Sequence, residues 1–343
     1  MTMGDLNAAM ARDAAEYKTP AASQVETLAL FGGQSWHRLE TEVDHVMTAE
    51  EAMTIAGLDW EVALEPICLA NFKGQVIPDK WAVVRKTDGK VYEVVGSFYT
   101  PIQNRECFEF FDAVVGTGEA KYHAAGSLKG GKRICLQAKL NDSLYPLGME
   151  DERIDQYLML VNSHDGQTAR QMFFTPIRWV CWNTLRASLN NKLGETFYSR
   201  HTKNANGSDK VEQARQVLAL VRLYYDKHKE MLEWLATCQL PPKNMDDFLL
   251  ATFGQKAGIK MEDVYDPIQR QMERVKELVY VGRGNQNPKI QGTMYQAYMG
   301  ATEFADHERK LHESTEREDA ILFGSSAKLK ERSLDWLLRA SKY

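Results

Sequence analysis

The 343-residue sequence has few cysteines, and their arrangement excludes the common cysteine-based sites. The five cysteines are odd in number, lie far apart, and form no CxxC pair. Zinc ribbons and disulfide frameworks need closely spaced or evenly paired cysteines. We therefore expect reduced, mostly buried thiols, which are typical of a cytoplasmic protein.

Long apolar segments are also missing. No run reaches the roughly 18 apolar residues that a membrane span needs, and residues 1–20 lack the apolar stretch of a signal peptide. We expect no membrane association. Because 44% of the residues are hydrophobic, the chain can still build one large core or two smaller ones.

The common catalytic motifs are absent from the sequence as well. It has no P-loop, no GxGxxG after a strand and no GxSxG. His307 and His312 are five residues apart, so they do not form the HExxH zinc motif. Glu303 and His307 share a helical face near Glu308, a pattern that favours an ion-paired surface helix over a metal site. We expect no catalytic residue, no metal and no other cofactor.

Positive charge is scarce overall and unevenly placed. The net charge is -5, and residues 1–66 contain three basic residues against a dozen acids. In residues 120–215, by contrast, lysine and arginine outnumber the acids. Such an imbalance indicates the charge of a partner rather than a fold.

The residue pattern predicts an α+β fold: an antiparallel sheet of β-hairpins with packed helices, followed by a helical C-terminal domain. A capping box at Thr48–Glu51 opens a short helix, and a turn at Thr87–Lys90 joins two strands. Helical spacing predicts a helix over Asn104–Val115. The predicted divisions are a flexible arm (1–33) with a docking segment at Leu28–Phe31, an α+β core (34–203) and a helical domain (204–343).

Two further hairpins and a helix follow in the middle of the chain. The hairpins are predicted over Lys121–Leu140 and Tyr157–Phe174. Thr175 as N-cap, Pro176 at the first position and Gly194 at the end predict a helix over Ile177–Leu193. The remaining helices are predicted at 209–238, 244–254, 262–280, 291–313 and 325–341.

The predicted helix Ile177–Leu193 would place Arg178, Trp182 and Arg186 in one stripe. Such a row could contact phosphates and stack on bases. A half-buried tryptophan between two solvated arginines explains the same spacing, and both interpretations stay open.

Basic residues also mark the turns and strands of the hairpins. They could line a groove that follows a nucleic-acid backbone, although turn lysines also keep sheet edges soluble and unpaired. Together with the helical stripe, the candidate binding residues are Lys129, Lys132, Arg133, Lys139, Arg170, Arg178, Trp182, Arg186, Arg200 and Lys203, with His164 at the second turn.

Four ordered motifs resemble a known family. They are Trp36-His37, Arg178-Trp-Val-Cys-Trp-Asn-Thr-Leu185, Gly292-Thr-Met-Tyr-Gln-Ala-Tyr298 with Glu303-Phe-Ala-Asp-His307, and Leu322-Phe-Gly-Ser-Ser-Ala-Lys-Leu-Lys330. Over roughly residues 30–341 the chain resembles the phage/plasmid-like family called domain of unknown function 932. It departs from that family at Glu40 and Trp182, where a glycine and an amide are usual. The resemblance implies a phage or plasmid context and a host-cytoplasm location, and no active site.

The order of elements is similar to that of the annealing domain of single-strand annealing recombinases, which form rings with a basic groove. The sequence therefore predicts a homo-oligomer that binds single-stranded DNA or RNA and is a candidate annealing protein in recombination. Two alternatives stay open. One is an enzyme acting on nucleotides or another small ligand, motivated by the acids and histidines of residues 303–312. The other is an inhibitor of a host defence system that uses the acidic N-terminus.

Overall fold

In the computed structural model the chain has the mixed α+β architecture that the sequence predicts, with antiparallel sheets, packed helices and a helical C-terminal region. The structure describes residues 27–31, 41–43, 48–69, 72, 74–115, 118, 120–178, 183–184, 197–199, 210–256, 258–311 and 317–343.

The described strands and helices are numbered in chain order. The strands are β1 (Thr27–Phe31), β2 (Thr41–Val43), β3 (Val62–Leu69), β4 (Gln75–Arg85), β5 (Val91–Gly96), β6 (Ala120–Leu128), β7 (Arg133–Leu144), β8 (Ile154–Ser163), β9 (Arg170–Arg178), β10 (Asn183–Thr184) and β11 (Phe197–Ser199). The helices are α1 (Ala49–Ile55), α2 (Asn104–Val115), α3 (Lys210–Thr237), α4 (Met245–Thr252), α5 (Asp266–Val281), α6 (Met294–Glu303), α7 (Arg317–Leu322) and α8 (Ser325–Ser341).

Two sheets organise the first half of the chain. The larger has the strand order β10-β9-β8-β7-β6-β1-β2, and β11 also pairs with β9. Its neighbours are antiparallel except for β1 and β2, which are parallel. The smaller sheet has the order β3-β4-β5. Both hairpins predicted from the sequence, β6–β7 and β8–β9, form the centre of the larger sheet.

Local signals placed several elements correctly. Thr48 and Glu51 form the expected capping box at α1, and α2 spans the predicted residues Asn104–Val115. The docking segment of the predicted arm is strand β1, which pairs with β6. The C-terminal helices lie near their predicted positions, except that the segment predicted at 291–313 is α6 followed by a π-helix, Phe304–Glu308.

The helix predicted over Ile177–Leu193 is wrong at its described residues. Strand β9 continues through Thr175 and Pro176 to Arg178, and β10 returns against it, with Asn183 opposite Arg178. Aromatic and β-branched residues from Phe173 onward favour a strand, and this preference outweighs the helix-start signal of Thr175-Pro176. The rest of the predicted helix lies outside the described residues.

The first hydrophobic core lies between α2 and the larger sheet. Phe108 and Phe111 of α2 are buried with Leu136 of β7 and with Leu158 and Leu160 of β8. The two β8 residues are two positions apart, so they point to the same face of the sheet. Burial of such side chains stabilises each by about 1.5–3 kcal/mol relative to exposure.

The second core lies mainly among the C-terminal helices. It also contains Leu144, Met149 and Ile154, so it extends across the boundary predicted near residue 203. Helices α5 and α6 approach closely at Gly300, where a Cβ would stand 2.7 Å from the backbone nitrogen of Val279. A larger residue at position 300 would therefore push these helices apart.

A buried ion pair joins the π-helix to α8. Lys330 Nζ lies 2.7 Å from Asp306 Oδ1, and both side chains are 2% exposed. An isolated buried charge is costly, whereas a paired one is tolerated. The pair therefore fixes how α8 packs on the end of α6.

We expect Lys330→Met to lower the free energy of unfolding by about 3–5 kcal/mol, because it leaves the Asp306 carboxylate buried without its cation. The double variant Asp306→Leu/Lys330→Met removes both charges and should recover much of that loss. Urea unfolding of the three proteins measures both effects. Equal losses in the single and double variants would contradict this explanation.

Candidate nucleic-acid interface

Three hairpin turns meet at one end of the two sheets. The Nζ of Lys90, beside the β4–β5 turn, lies 3.0 Å from where a Cβ on Gly130 would stand. The backbone nitrogen of His164 donates to the Lys132 carbonyl at 2.7 Å, and Tyr99 Oη donates to the Ser163 carbonyl at 3.3 Å. The tertiary structure thus gathers turns from both sheets into one surface.

The hairpin-tip cluster, Lys129, Lys132 and Arg133, brings three positive charges together. Lys129 Nζ is 3.2 Å from Asp319 Oδ2, Arg133 also pairs with Asp319, and Lys132 Nζ is 3.9 Å from Glu93 Oε2. In these ion pairs of the described residues, three cations share two carboxylates. The side chains of Lys129 and Lys132 are 38% and 37% exposed, so both ammonium groups are within reach of an anionic ligand.

Arg133 occupies the inner side of this cluster. It is 6% exposed, donates to Thr168 Oγ1 at 3.3 Å and lies 4.6 Å from the centre of the Phe323 ring. Together with its Asp319 ion pair, these contacts fasten α7 and the following residue to the sheet. The guanidinium therefore acts as an internal anchor.

Lys139 lies six residues along β7 from Arg133, and Arg170 is buried where β9 begins. Lys139 Nζ is 2.5 Å from Asp155 Oδ2. Burial raises the pKa of the Asp155 carboxyl, but hydrogen bonds from Lys139 and Ser143 outweigh this and lower it. Arg170 is 3% exposed and its guanidinium lies 4.9 Å from the centre of the Phe110 ring of α2. The structure therefore does not bring these two residues into the hairpin-tip surface.

His164, at the second turn, is part of the interior. Its Nε2 is 2.8 Å from Asn104 Oδ1, and its ring lies 5.2 Å from that of Trp60 and 6.0 Å from that of Tyr92. The remaining candidates lie outside what the structure describes: the side chain of Arg178, the residues Trp182, Arg186, Arg200 and Lys203, and the Trp36-His37 motif.

The three acids of residues 303–308 are held by internal partners. The backbone nitrogen of Arg283 donates to Glu303 Oε2 at 2.9 Å, Asp306 pairs with Lys330, and Arg274 forms two bonds to Glu308, at 2.6 and 2.7 Å. Across the described ranges, no three histidine, cysteine or carboxylate side chains form a group that could hold a metal ion. In the same ranges, no helix is long and apolar enough to cross a membrane.

Sequence reasoning missed one buried titratable residue, His228 of α3. It is 0% exposed, and neither ring nitrogen has a hydrogen-bond partner among the described residues. Burial lowers its pKa to about 3, so the imidazole is neutral in the folded chain. The spacing Tyr225, His228, Met231 and Leu235 places it on the apolar face of α3, and that pattern could have revealed it.

We expect the free energy of unfolding to fall with acidification because of His228. Its folded pKa lies below the unfolded value near 6.5, so the unfolded state binds the extra proton. The stabilisation is complete above about pH 6.5 and is lost as the pH falls towards 3, with a slope of up to about 1.4 kcal/mol per pH unit.

Denaturant unfolding at several pH values, with His228→Phe as the comparison, measures this slope. The variant should lose the part of the slope that His228 contributes and keep the part that comes from Asp155. A variant whose slope between pH 6.5 and 4 equals that of the parent chain would show that the prediction is wrong.

The chain matches a known protein family. The family described as domain of unknown function (DUF932) matches residues 91–328, which is more than half of the 343 residues. This range includes the hairpin-tip cluster, Asp319 and most of the helical region. No curated protein and no solved structure matches the chain.

Proposed function

The chain belongs to the DUF932 family, and we propose that it binds single-stranded nucleic acid through its hairpin-tip cluster. The observation that carries the proposal is the meeting of Lys129 and Lys132, each more than one third exposed, at a point where three cations face two carboxylates. An exposed excess of positive charge favours phosphate, whose binding releases counterions. Arg133 adds a positive charge beneath these two lysines, but its side chain does not reach the surface.

We propose further that this binding serves strand annealing during recombination of a phage or plasmid, in the host cytoplasm and in a homo-oligomer. Its support is the order of elements, in which helix α2 packs on an antiparallel sheet that ends in basic turns. One chain presents only a few exposed cations at its tips, so several copies side by side would be needed to hold a strand firmly.

The alternative of an enzyme acting on a small ligand has less support at residues 303–308. Each acid of that segment already has an internal partner: Glu303 the backbone of Arg283, Asp306 the ammonium of Lys330, and Glu308 the guanidinium of Arg274. A ligand there would have to displace one of these partners. At the hairpin tips, by contrast, Lys129 and Lys132 keep more than one third of each side chain exposed beside their carboxylate partners.

We expect Lys129→Glu/Lys132→Glu to weaken binding to a labelled single strand by at least about tenfold at low salt, because two attractions to phosphate become repulsions. The dependence of log K on log salt should also become shallower, by about 0.7 for each phosphate that the variant no longer neutralises. A mobility-shift or fluorescence-anisotropy titration at several salt concentrations measures both quantities.

The matched control is Lys243→Glu/Lys256→Glu, which changes the net charge equally at two exposed lysines of the helical region. It should leave both the affinity and the salt dependence nearly unchanged. Equal weakening in the two double variants would mean that net charge alone acts. A parent chain that binds no single strand at low salt would overturn the proposed function.

We expect Asp319→Asn to tighten strand binding several-fold, because it removes a negative charge beside the exposed Lys129 while the amide oxygen can still accept a hydrogen bond from Arg133. Glu277→Gln is the control. This variant also removes the acid of an ion pair, the one between Glu277 and Arg274 on α5. Unchanged or weaker binding by a folded Asp319→Asn variant would contradict the assignment of the cluster.

A further inference from the structure

Two arginines lie close together beside the start of α8. Arg309 directly follows the π-helix, and its Nη1 donates to the carbonyl of Ser325, the first residue of α8, at 2.7 Å. Arg332 lies two turns further along α8, and its Nη1 is 2.6 Å from where a Cβ on Gly254 would stand. Among the described residues, neither guanidinium forms an ion pair with a carboxylate, so the charge of this arginine pair is uncompensated there.

Backbone carbonyls hold the guanidinium groups near the pair. Arg317, the first residue of α7, donates to the carbonyl of Asp306 at 3.0 Å and to that of Arg309 at 3.4 Å. Several arginines elsewhere in the described chain each pair with a carboxylate, namely Arg85, Arg133, Arg153 and Arg274. A carbonyl oxygen carries no net charge, so the bonds to carbonyls fix Arg309 and Arg317 in place without neutralising them.

The position of Arg309 is unfavourable for a cation in three ways. Its side chain is partly buried, and burial lowers the pKa of the guanidinium, while the positive charge of Arg332 lowers it further. Arg309 also lies at the N-terminal end of a 17-residue helix, where the helix dipole favours anions over cations. An anion in contact with the pair would relieve all three costs, because it would supply the missing negative charge.

We propose that the arginine pair binds a phosphate group, either of a nucleic-acid strand or of a free phosphate compound. Guanidinium groups are planar forks of N–H donors that match the spacing of phosphate oxygens. Arg332 is exposed and Arg309 is partly exposed, so a ligand can approach both from solvent. Lys328, which is exposed and one turn before Arg332 on α8, adds a further positive charge on the same side of the helix.

The arginine pair is separated from the hairpin-tip cluster by α7. Asp319 of α7 binds Lys129 and Arg133 of that cluster. Arg317 lies two positions earlier, on nearly the opposite side of the helix, and it donates to Arg309. A strand held at the tips would reach the pair by crossing α7, a distance on the order of 10 Å. The strand as the source of the phosphate rests on the proposed function, whereas a free phosphate compound does not.

Thermal melting of the full chain with pyrophosphate as the probe tests the phosphate site. We expect about 10 mM pyrophosphate to raise the Tm by about 2 °C more than sodium chloride of equal ionic strength does. Arg332→Glu should abolish this difference, because the new carboxylate pairs with Arg309 in place of the phosphate. The Tm of this variant without pyrophosphate should equal or exceed that of the parent chain, because the repulsion becomes an attraction.

The matched control is Arg339→Glu, which makes the same change at an exposed arginine two turns further along α8. It should keep the response to pyrophosphate, and so should Lys129→Glu/Lys132→Glu. A parent chain without the response, or Arg332→Glu with the full response, would overturn the proposal. Loss of the response in Arg339→Glu would overturn it as well, because net charge alone would then explain the effect.

Strand titration of Arg332→Glu identifies the source of the phosphate. Single-strand binding that weakens by at least about threefold at low salt supports a strand phosphate as the ligand. Unchanged strand binding, together with a lost response to pyrophosphate, supports a free phosphate compound. A parent chain that responds to pyrophosphate and binds no single strand would support this site while it overturns the proposed function.

Discussion

The ion pair between Arg133 and Asp319 joins the helical C-terminal region to the sheet, and the candidate interface depends on it. Arg133 begins β7 and Asp319 lies in α7, 186 residues further along the chain. The Phe323 ring covers the guanidinium on one side, and Lys129 shares the carboxylate. Because the pair is largely withdrawn from solvent, separating its partners is costly, and the tip of the β6–β7 hairpin is held in place.

The same contact sets the balance of charge at the tips. Asp319 reduces the positive charge that the cluster presents, while it holds the turn in position. Lys129 adopts a left-handed backbone with φ of 54°, which is unfavourable for a residue with a side chain. The turn holds Lys129 in this unfavourable conformation near the exposed Lys132. Its local stability is therefore lower, while its surface carries positive charge. Under the proposed function, this turn presents the lysines that bind the strand.

The two hydrophobic cores share strand β8 and helix α3. Hydrophobic spacing predicted an α+β part and a helical part, and each has its own core. Strand β8, however, contributes Leu158 to one core and Ile154 to the other, and Tyr225 of α3 contacts both. Polar residues Gln156 and His228 lie where these cores meet. The boundary between the two cores is therefore set by tertiary packing, which joins segments that are far apart in the sequence.

The sequence by itself determined the local elements: the Thr48 capping box, α2, the two central hairpins and most C-terminal helices, because caps, turns and periodicity act over a few residues. It failed at the described residues of the predicted helix Ile177–Leu193, where pairing with β8 and β10 outweighed the helix-start signal. Only the tertiary structure decided which cations stay accessible. The exposure of a side chain depends on partners that are distant in the sequence. Asp319 covers Arg133 and α2 covers Arg170, whereas Lys129 and Lys132 remain partly exposed.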